Sequence, residues 1–392
     1  MALYVHVPFC ATKCRYCDFN AYARMERLIP AFVEALLREL EAWSGILGPV
    51  RVPTIFFGGG TPSLLPSGDV ARFLDAARRV FSLDPAAEVS LEANPDDVTE
   101  ARLRQLRESG VNRLSMGVQS FDDGLLRSLD RRHTAAEAAE AFQMARAAGF
   151  DNINLDLIYG LCGQTLAQWE ATLERAVALR PEHLSLYALT IEEHTPLWDD
   201  VRRGRSPEPD PDLAADMYVM AEDRLAAVGY RHYEISNWVL PGRACRHNLV
   251  YWRNQPYLGL GPGAHSRIGA YRFHDVLSPA EYTRRAAGLS IAAGPQPLSA
   301  EVVRGLPTVA GVDEVSAATD AADTLILGLR LDEGVDAGDV ARRFPDAEVG
   351  RWDSVIREMC AAGLLEREGG VLRLTRRGRL LGNEVFLRFL PG

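Results

Sequence analysis

Three cysteines fall within eight residues, Cys10, Cys14 and Cys17, in the spacing C-x3-C-x2-C. Thiolates this close can wrap one compact metal centre. A structural zinc would need a fourth ligand, and His6 is placed to complete a Cys3His set. A 4Fe-4S cluster on three cysteines would instead keep one iron without a protein ligand, open to a substrate that binds through amino and carboxylate groups. That is chemistry suited to S-adenosylmethionine (SAM). The reduced cluster passes an electron to the sulfonium, a carbon-sulfur bond breaks and a 5'-deoxyadenosyl radical is released.

The residues that could surround such a centre recur at the ends of short apolar runs. Gly58, Gly59 and Gly60 precede Thr61, and Glu92, Gln119 and Asp156 each stand near the end of a β-branched or aromatic segment. Adjacent glycines let a backbone approach a ligand closely, where a tight turn alone would need only one. The two acids suit a ribose diol or an ammonium, and the glutamine amide can both donate and accept.

Six runs read as buried strands: Leu3 to Val7, Thr54 to Phe57, Glu88 to Glu92, Arg113 to Gly117, Asn152 to Leu157 and His183 to Ala188. Helical spacing lies between them at Ile29 to Leu40, Asp69 to Phe81, Arg102 to Arg107, Ala135 to Ala147 and Trp169 to Leu179. Thr134 with Glu137 forms a capping-box signal, and Gly110 and Gly149 stand where helices should stop. Strict alternation implies parallel strands, either as a doubly wound sheet or as an incomplete barrel. In both, function belongs at the carboxyl ends of the strands.

The chain has 392 residues, 47% hydrophobic and 24% charged, a globular composition. With 43 basic and 53 acidic residues its net charge is -10, so nucleic acid is not an expected partner. Lys13 is the only lysine, which leaves a Schiff-base mechanism one candidate side chain. No transmembrane segment or signal peptide is expected, and the cytoplasm is the expected compartment, compatible with peripheral membrane contact. Three units are expected: 1-230 as the core, 231-310 as a connecting unit and 311-392 as a smaller α+β domain. In the last, three helices and a hairpin around Gly369-Gly370 resemble a winged helix.

Four segments together resemble the radical SAM superfamily, in its HemN and HemW branch. They are Tyr4 to Phe19, Phe57 to Ser63, Gly117 to Phe121 and Asp156 to Leu161. The resemblance implies an α/β fold, an incomplete (β/α)6 TIM-like barrel with a C-terminal winged-helix-like domain. It implies a 4Fe-4S cluster on Cys10, Cys14 and Cys17. It also implies SAM bound by Tyr4, Tyr16, Gly59, Gly60, Thr61, Glu92, Gln119, Arg131 and Asp156. Arg131 would meet the methionine carboxylate, with Arg132 as the alternative. Two positions depart from the branch: Cys162 replaces a proline in the segment after the fifth strand, and Phe19 stands where HemN-type coproporphyrinogen oxidases carry a fourth cysteine.

His247-Asn248-Leu249-Val250-Tyr251-Trp252 resembles the HNxxYW motif of the HemW members, which are heme chaperones. On a helix His247 and Tyr251 would share a face, where an imidazole can ligate heme iron or simply pack among aromatic rings. The resemblance therefore implies a chaperone that binds a cluster, SAM and heme and delivers heme to heme-accepting proteins. The competing reading is an oxygen-independent coproporphyrinogen III oxidase, against which Phe19 speaks. The glycines of Gly259 to Gly263 lack the strand-to-helix setting and spacing of a dinucleotide loop.

Overall fold

The computed structural model describes residues 1-347, 350 and 352-391. The six expected strands are present as Ala2–Val7, Arg51–Gly59, Ser82–Ala93, Arg113–Gln119, Ile153–Tyr159 and His183–Ala188. They pair in parallel in chain order. Helices such as Ile29–Leu47, Ser67–Val80, Glu100–Ser109, Ala135–Ala147 and Leu166–Leu179 make the crossovers, so the fold is an incomplete (β/α)6 barrel.

Side-chain alternation gives each strand two different faces. Leu114, Met116 and Val118, like Ile153, Leu155 and Leu157, are wholly buried in the main apolar core. The alternate positions Ser115 and Gly117, Asn154 and Asp156, and Ser185 and Tyr187 include the residues that line the interior. A polar barrel lumen is thus written into the strands as a period-two pattern.

The capping box of Thr134 and Glu137 forms with both of its bonds, and Gly110 ends its helix at φ 116°. The first helix runs on to Leu47 rather than Leu40, because Trp43 and Ile46 continue its buried stripe. The third strand begins at Ser82 rather than Glu88, since Ser82 and Leu83 pair with Arg51 and Val52 ahead of a register shift.

Residues 231-310 do not form a unit of their own. Asn237–Val239 pairs antiparallel with the sixth barrel strand, and Arg231–Glu234 adds outside it. At the other edge Tyr257–Leu260 pairs in parallel with the first strand, followed by antiparallel His265–Ile268, Tyr271–Asp275 and Val309–Glu314. The result is one twelve-stranded sheet. The physical reason is burial: Trp238, Leu258, Leu260, Phe273 and Tyr282 belong to the same core as the barrel helices.

The C-terminal region has its own core around Leu325, Trp352, Leu372 and Phe389. Its helices Ala317–Leu329, Ala337–Arg343 and Trp352–Ala361 precede the hairpin Leu365–Glu368 and Val371–Leu374, joined by Val335–Asp336 as expected of a winged-helix-like domain. The expected range 311-392 includes residues 348, 349, 351 and 392, which lie outside the described residues. Among the described residues no helix is long and apolar enough to cross a membrane.

Glu222, on the helix Pro211–Ala227, ties this domain to the barrel through ion pairs with Arg376, at 2.7 Å, and with Arg379. Both Glu222 and Arg379 are less than a fifth exposed, so the pair is poorly screened. Glu222→Ala is expected to cost about 2 kcal/mol. Urea unfolding followed by tryptophan fluorescence should show the transition moving to lower denaturant, through loss of the C-terminal domain first.

Candidate functional site

The carboxyl ends of the barrel strands open on a cavity of about 340 Å³. Cys10, Cys14 and Cys17 line it together with Tyr16, Gly59, Gly60, Thr61, Glu92, Gln119, Arg131 and Asp156. Residues dispersed over almost 150 positions of sequence therefore meet in one place. Of the expected SAM contacts only Tyr4 lies elsewhere, deeper in the barrel.

All three thiols are free, and the cysteine loop folds tightly, with the Cys17 amide donating to the Cys14 carbonyl at 3.2 Å. Thr61 Oγ1 donates to Cys10 Sγ and Arg131 Nη1 to Cys14 Sγ, each at 3.4 Å. Burial pushes the Cys10 thiol up and takes Cys17 to about 11. Such thiols become thiolates readily only beside a strong cation, which an iron-sulfur centre would supply. The donor set thus fits a three-cysteine cluster. The Cys3His alternative lacks its fourth ligand: His6 Nδ1 meets Tyr4 OH at 3.0 Å and Nε2 meets the Asn20 carbonyl at 2.9 Å.

The glycine turn follows from crowding. A side chain at Gly60 would stand 2.7 Å from the Phe9 carbonyl and 3.1 Å from Cys10 Sγ. Gly59 adopts φ 116°, and its amide donates to Glu92 Oε2 at 3.2 Å. Burial, then the nearby charge of Asp156, pushes the Glu92 carboxyl up to about 8. Asp156, also raised by burial, accepts from Asn154 Nδ2 at 2.8 Å and Ser115 Oγ at 3.0 Å. Two half-buried acids on the cavity wall suit a ligand that brings hydroxyl or ammonium groups.

Arg131 Nη2 donates to the Gly117 carbonyl at 2.6 Å and to Asn94 Oδ1 at 2.7 Å, while its buried Nε has no partner. Arg132 turns away to Asp96 and Asp97, at 2.5 Å each. Arg131 is accordingly the arginine that faces the cavity. Gln119 follows a register shift in its strand and holds φ 67°, a left-handed backbone costly for a residue with a side chain.

Below the mouth lies a second chamber of about 220 Å³, which shares Glu92, Ser115, Asp156 and Tyr187 with it. Tyr4, Arg113 and His247 line this lower chamber. His247 stands on the helix Arg246–Trp252, whose first amides are capped by Glu88 at 3.0 Å. It shares a face with Tyr251 as expected, yet it is 1% exposed. Its Nδ1 meets Thr54 Oγ1 and its Nε2 meets Tyr251 OH, both at 2.9 Å. Burial, then Arg113, lowers its pKa to about 3. Both ring nitrogens of His247 are thus engaged by protein groups, and the motif helix stands at the barrel floor rather than at its mouth.

Ser115, Asn154 and Ser185, which no motif singles out, set the position of Asp156. Asn154 donates to Ser115 Oγ at 2.7 Å and to Asp156, and accepts from His183 at 2.6 Å and Ser185 at 3.1 Å. The signal is present in sequence as polar residues at alternate positions of otherwise apolar strands.

A parallel barrel with three thiols and a glycine turn at its mouth is a radical SAM architecture, and the Radical SAM superfamily pattern matches residues 4–176. The HemN C-terminal domain pattern matches residues 315–381. The chain is 37% identical over 390 residues to the heme chaperone HemW of Bacillus subtilis, covering 99% of this chain and 98% of that one. It is 39% identical over 386 residues to the heme chaperone HemW of Mycobacterium tuberculosis H37Rv, covering 98% and 93%. The chain belongs to the HemW family of radical SAM proteins. Its fold matches the coproporphyrinogen III oxidase HemN of Escherichia coli with a TM-score of 0.82 at 23% identity, over 99% of this chain and 89% of that one.

Two outcomes are expected here. Gly60→Ala forces a methyl against Phe9 and Cys10, and should at least halve the iron and sulfide retained per chain after anaerobic reconstitution. For Glu92 the folded pKa is raised above the unfolded value, so the native state holds a proton that the unfolded state releases. Stability is lost as pH rises from about 4.3 towards 8 and is level beyond that. Glu92→Gln removes this dependence. Its melting temperature relative to wild type should climb across that window and then plateau, while its SAM affinity falls.

Proposed function

We propose that this chain is a heme chaperone of the cytoplasm. It holds a 4Fe-4S cluster on Cys10, Cys14 and Cys17, binds SAM in the mouth cavity, and carries heme to acceptor proteins. The observation that carries this reading is the near end-to-end similarity to proteins named as HemW heme chaperones, combined with a cavity lined by the full thiol triad. When bound, the cluster would supply an electron to the SAM sulfonium. The protein's own part is to seat the ligand: Arg131 faces its carboxylate, Glu92 and Asp156 take hydroxyl or ammonium groups, and Gly59 and Gly60 keep the backbone close. Tyr4, one layer down, holds His6 in place beneath the site.

The competing reading, a coproporphyrinogen III oxidase, draws on the fold match to HemN. Phe19 stands 64% exposed at the cavity rim, as an apolar side chain rather than a fourth thiol. A carrier needs a reachable heme and easy release, whereas an oxidase must enclose its substrate beside the reacting centre.

Anaerobic protein with an intact cluster should bind heme with a shifted Soret band. It should form no protoporphyrinogen from coproporphyrinogen with SAM and a reductant. More than one turnover per chain would establish the oxidase instead. Alanine at any one of Cys10, Cys14 or Cys17 should abolish the cluster spectrum. With the cluster intact, Arg131→Ala should weaken SAM binding by about 1.5 to 3 kcal/mol, roughly ten- to a hundredfold by calorimetry.

A further inference from the structure

The cysteine loop is tied to its surroundings through a residue that takes no part in the cavity wall. Residues 12-19 line the mouth apart from Arg15, which stands between Cys14 and Tyr16. The Arg15 guanidinium meets two carboxylates instead, that of Asp200 in an ion pair and that of Asp130 at 3.7 Å. Its carbonyl accepts from the Leu197 amide at 3.0 Å. Leu197 and Asp200 both belong to the short helix Pro196–Arg202, so one element grips Arg15 by backbone and by side chain.

The two carboxylates are not equivalent. The Asp200 side chain is 7% exposed and that of Asp130 60%. An exposed pair at 3.7 Å is screened by water and adds little, whereas the enclosed Asp200 holds its partner firmly. Asp200 is itself fixed independently of Arg15. It accepts from Arg205 Nε at 2.6 Å, and its carbonyl accepts from the Arg205 amide at 2.8 Å. The start of the helix is fixed too: Thr195 Oγ1 accepts from the Trp198 amide at 3.2 Å and donates to the Glu192 carbonyl at 2.7 Å. Glu192 lines the cavity, so this anchor is continuous with the mouth.

A crossed pair of contacts connects the anchor to the site. Arg131 Nη1 donates to Cys14 Sγ at 3.4 Å, while Arg15, next to Cys14, faces Asp130, next to Arg131. Two adjacent residues of the cysteine loop therefore meet two adjacent residues of the segment that follows the helix Asp123–Ser128. Asp130 holds φ 54° at this junction, a backbone conformation that persists only where the surroundings enforce it. Arg131 is the arginine that faces the cavity, so any shift of the loop against this segment also moves the group that would meet a SAM carboxylate.

We propose that Arg15, anchored by Asp200, is a positioning residue that sets Cys14 against Arg131, and thereby the cluster against the SAM carboxylate. It touches neither ligand and acts through Arg131. The proposal rests on the cluster- and SAM-binding reading above and names the residues outside the cavity that hold its two halves together. The planar fork of an arginine suits the role, since it reaches two carboxylates from one side chain.

Calorimetric titration of SAM into the anaerobically reconstituted full chain, with electron paramagnetic resonance of the reduced cluster, tests this. Arg15→Gln and Asp200→Asn should keep their iron and sulfide, because all three cysteines remain. Both should bind SAM at least fivefold more weakly and show a smaller SAM-induced change in the resonance spectrum. Arg15→Lys, which keeps a cation facing Asp200, should recover most of the affinity. In an Arg131→Ala background Arg15→Gln should cost nothing further, because its effect passes through Arg131. Losses that simply add would mark a merely structural role and overturn the proposal. Unchanged SAM affinity in both Arg15→Gln and Asp200→Asn also overturns it. Should Arg15→Gln fail to fold by circular dichroism, Asp200→Asn decides, since it keeps the shape of the side chain. Absence of SAM binding in wild type would overturn the SAM-binding reading as well, whereas unaffected variants leave that reading standing.

Discussion

The arrangement of the barrel turns on charge buried where water is scarce. Glu92 and Asp156 are enclosed at the boundary of two connected cavities, and Arg113, also buried, faces the lower one while forming no ion pair among the described residues. Isolated ions in such a setting would cost several kcal/mol each. The lumen offsets this with neutral donors from neighbouring strands, Ser115, Asn154 and Ser185, and with proton retention on Glu92. A ligand carrying hydroxyls and an ammonium would complete the set.

That arrangement also explains why the mouth and the floor are built differently. At the mouth, backbone groups do the positioning: Gly59 and Gly60 approach closely, Gln119 sits in a left-handed conformation, and the cysteine loop turns back on itself. At the floor a short helix, Arg246–Trp252, closes the lumen with side chains. His247 bonds to both Tyr251 and Thr54, which seals the interior from below. The outward side of the same helix is left to line a groove against the extended sheet.

The extension of the sheet beyond six strands gives the fold this second surface. The strands from Tyr257 to Glu314 carry apolar residues on the face that meets the first helix. There Glu39 accepts from Tyr282 at 2.6 Å and from the Gly261 amide at 2.9 Å. Their opposite face carries histidines and arginines. Covering one face with a helix forces the other outward, towards the C-terminal domain, where Arg267 and Arg272 pair with Asp320 and Asp323.

The features legible along the chain are local. The thiol spacing, the triple glycine, the strand-helix alternation and the capping box of Thr134 all act over a few residues, where propensity and hydrogen bonding within one turn decide the outcome. The strand-end acids were legible too, because an interrupted apolar run marks a strand end. Which side of each element meets which neighbour depends on long-range packing. Ser115, Asn154 and Ser185 act as one group only once three strands lie side by side, and residues 231-310 join the barrel sheet only because their aromatic side chains share its core. The same holds for His247. Helical spacing puts it beside Tyr251, but its place at the barrel floor depends on Thr54, 193 residues away, and no local rule reaches that far.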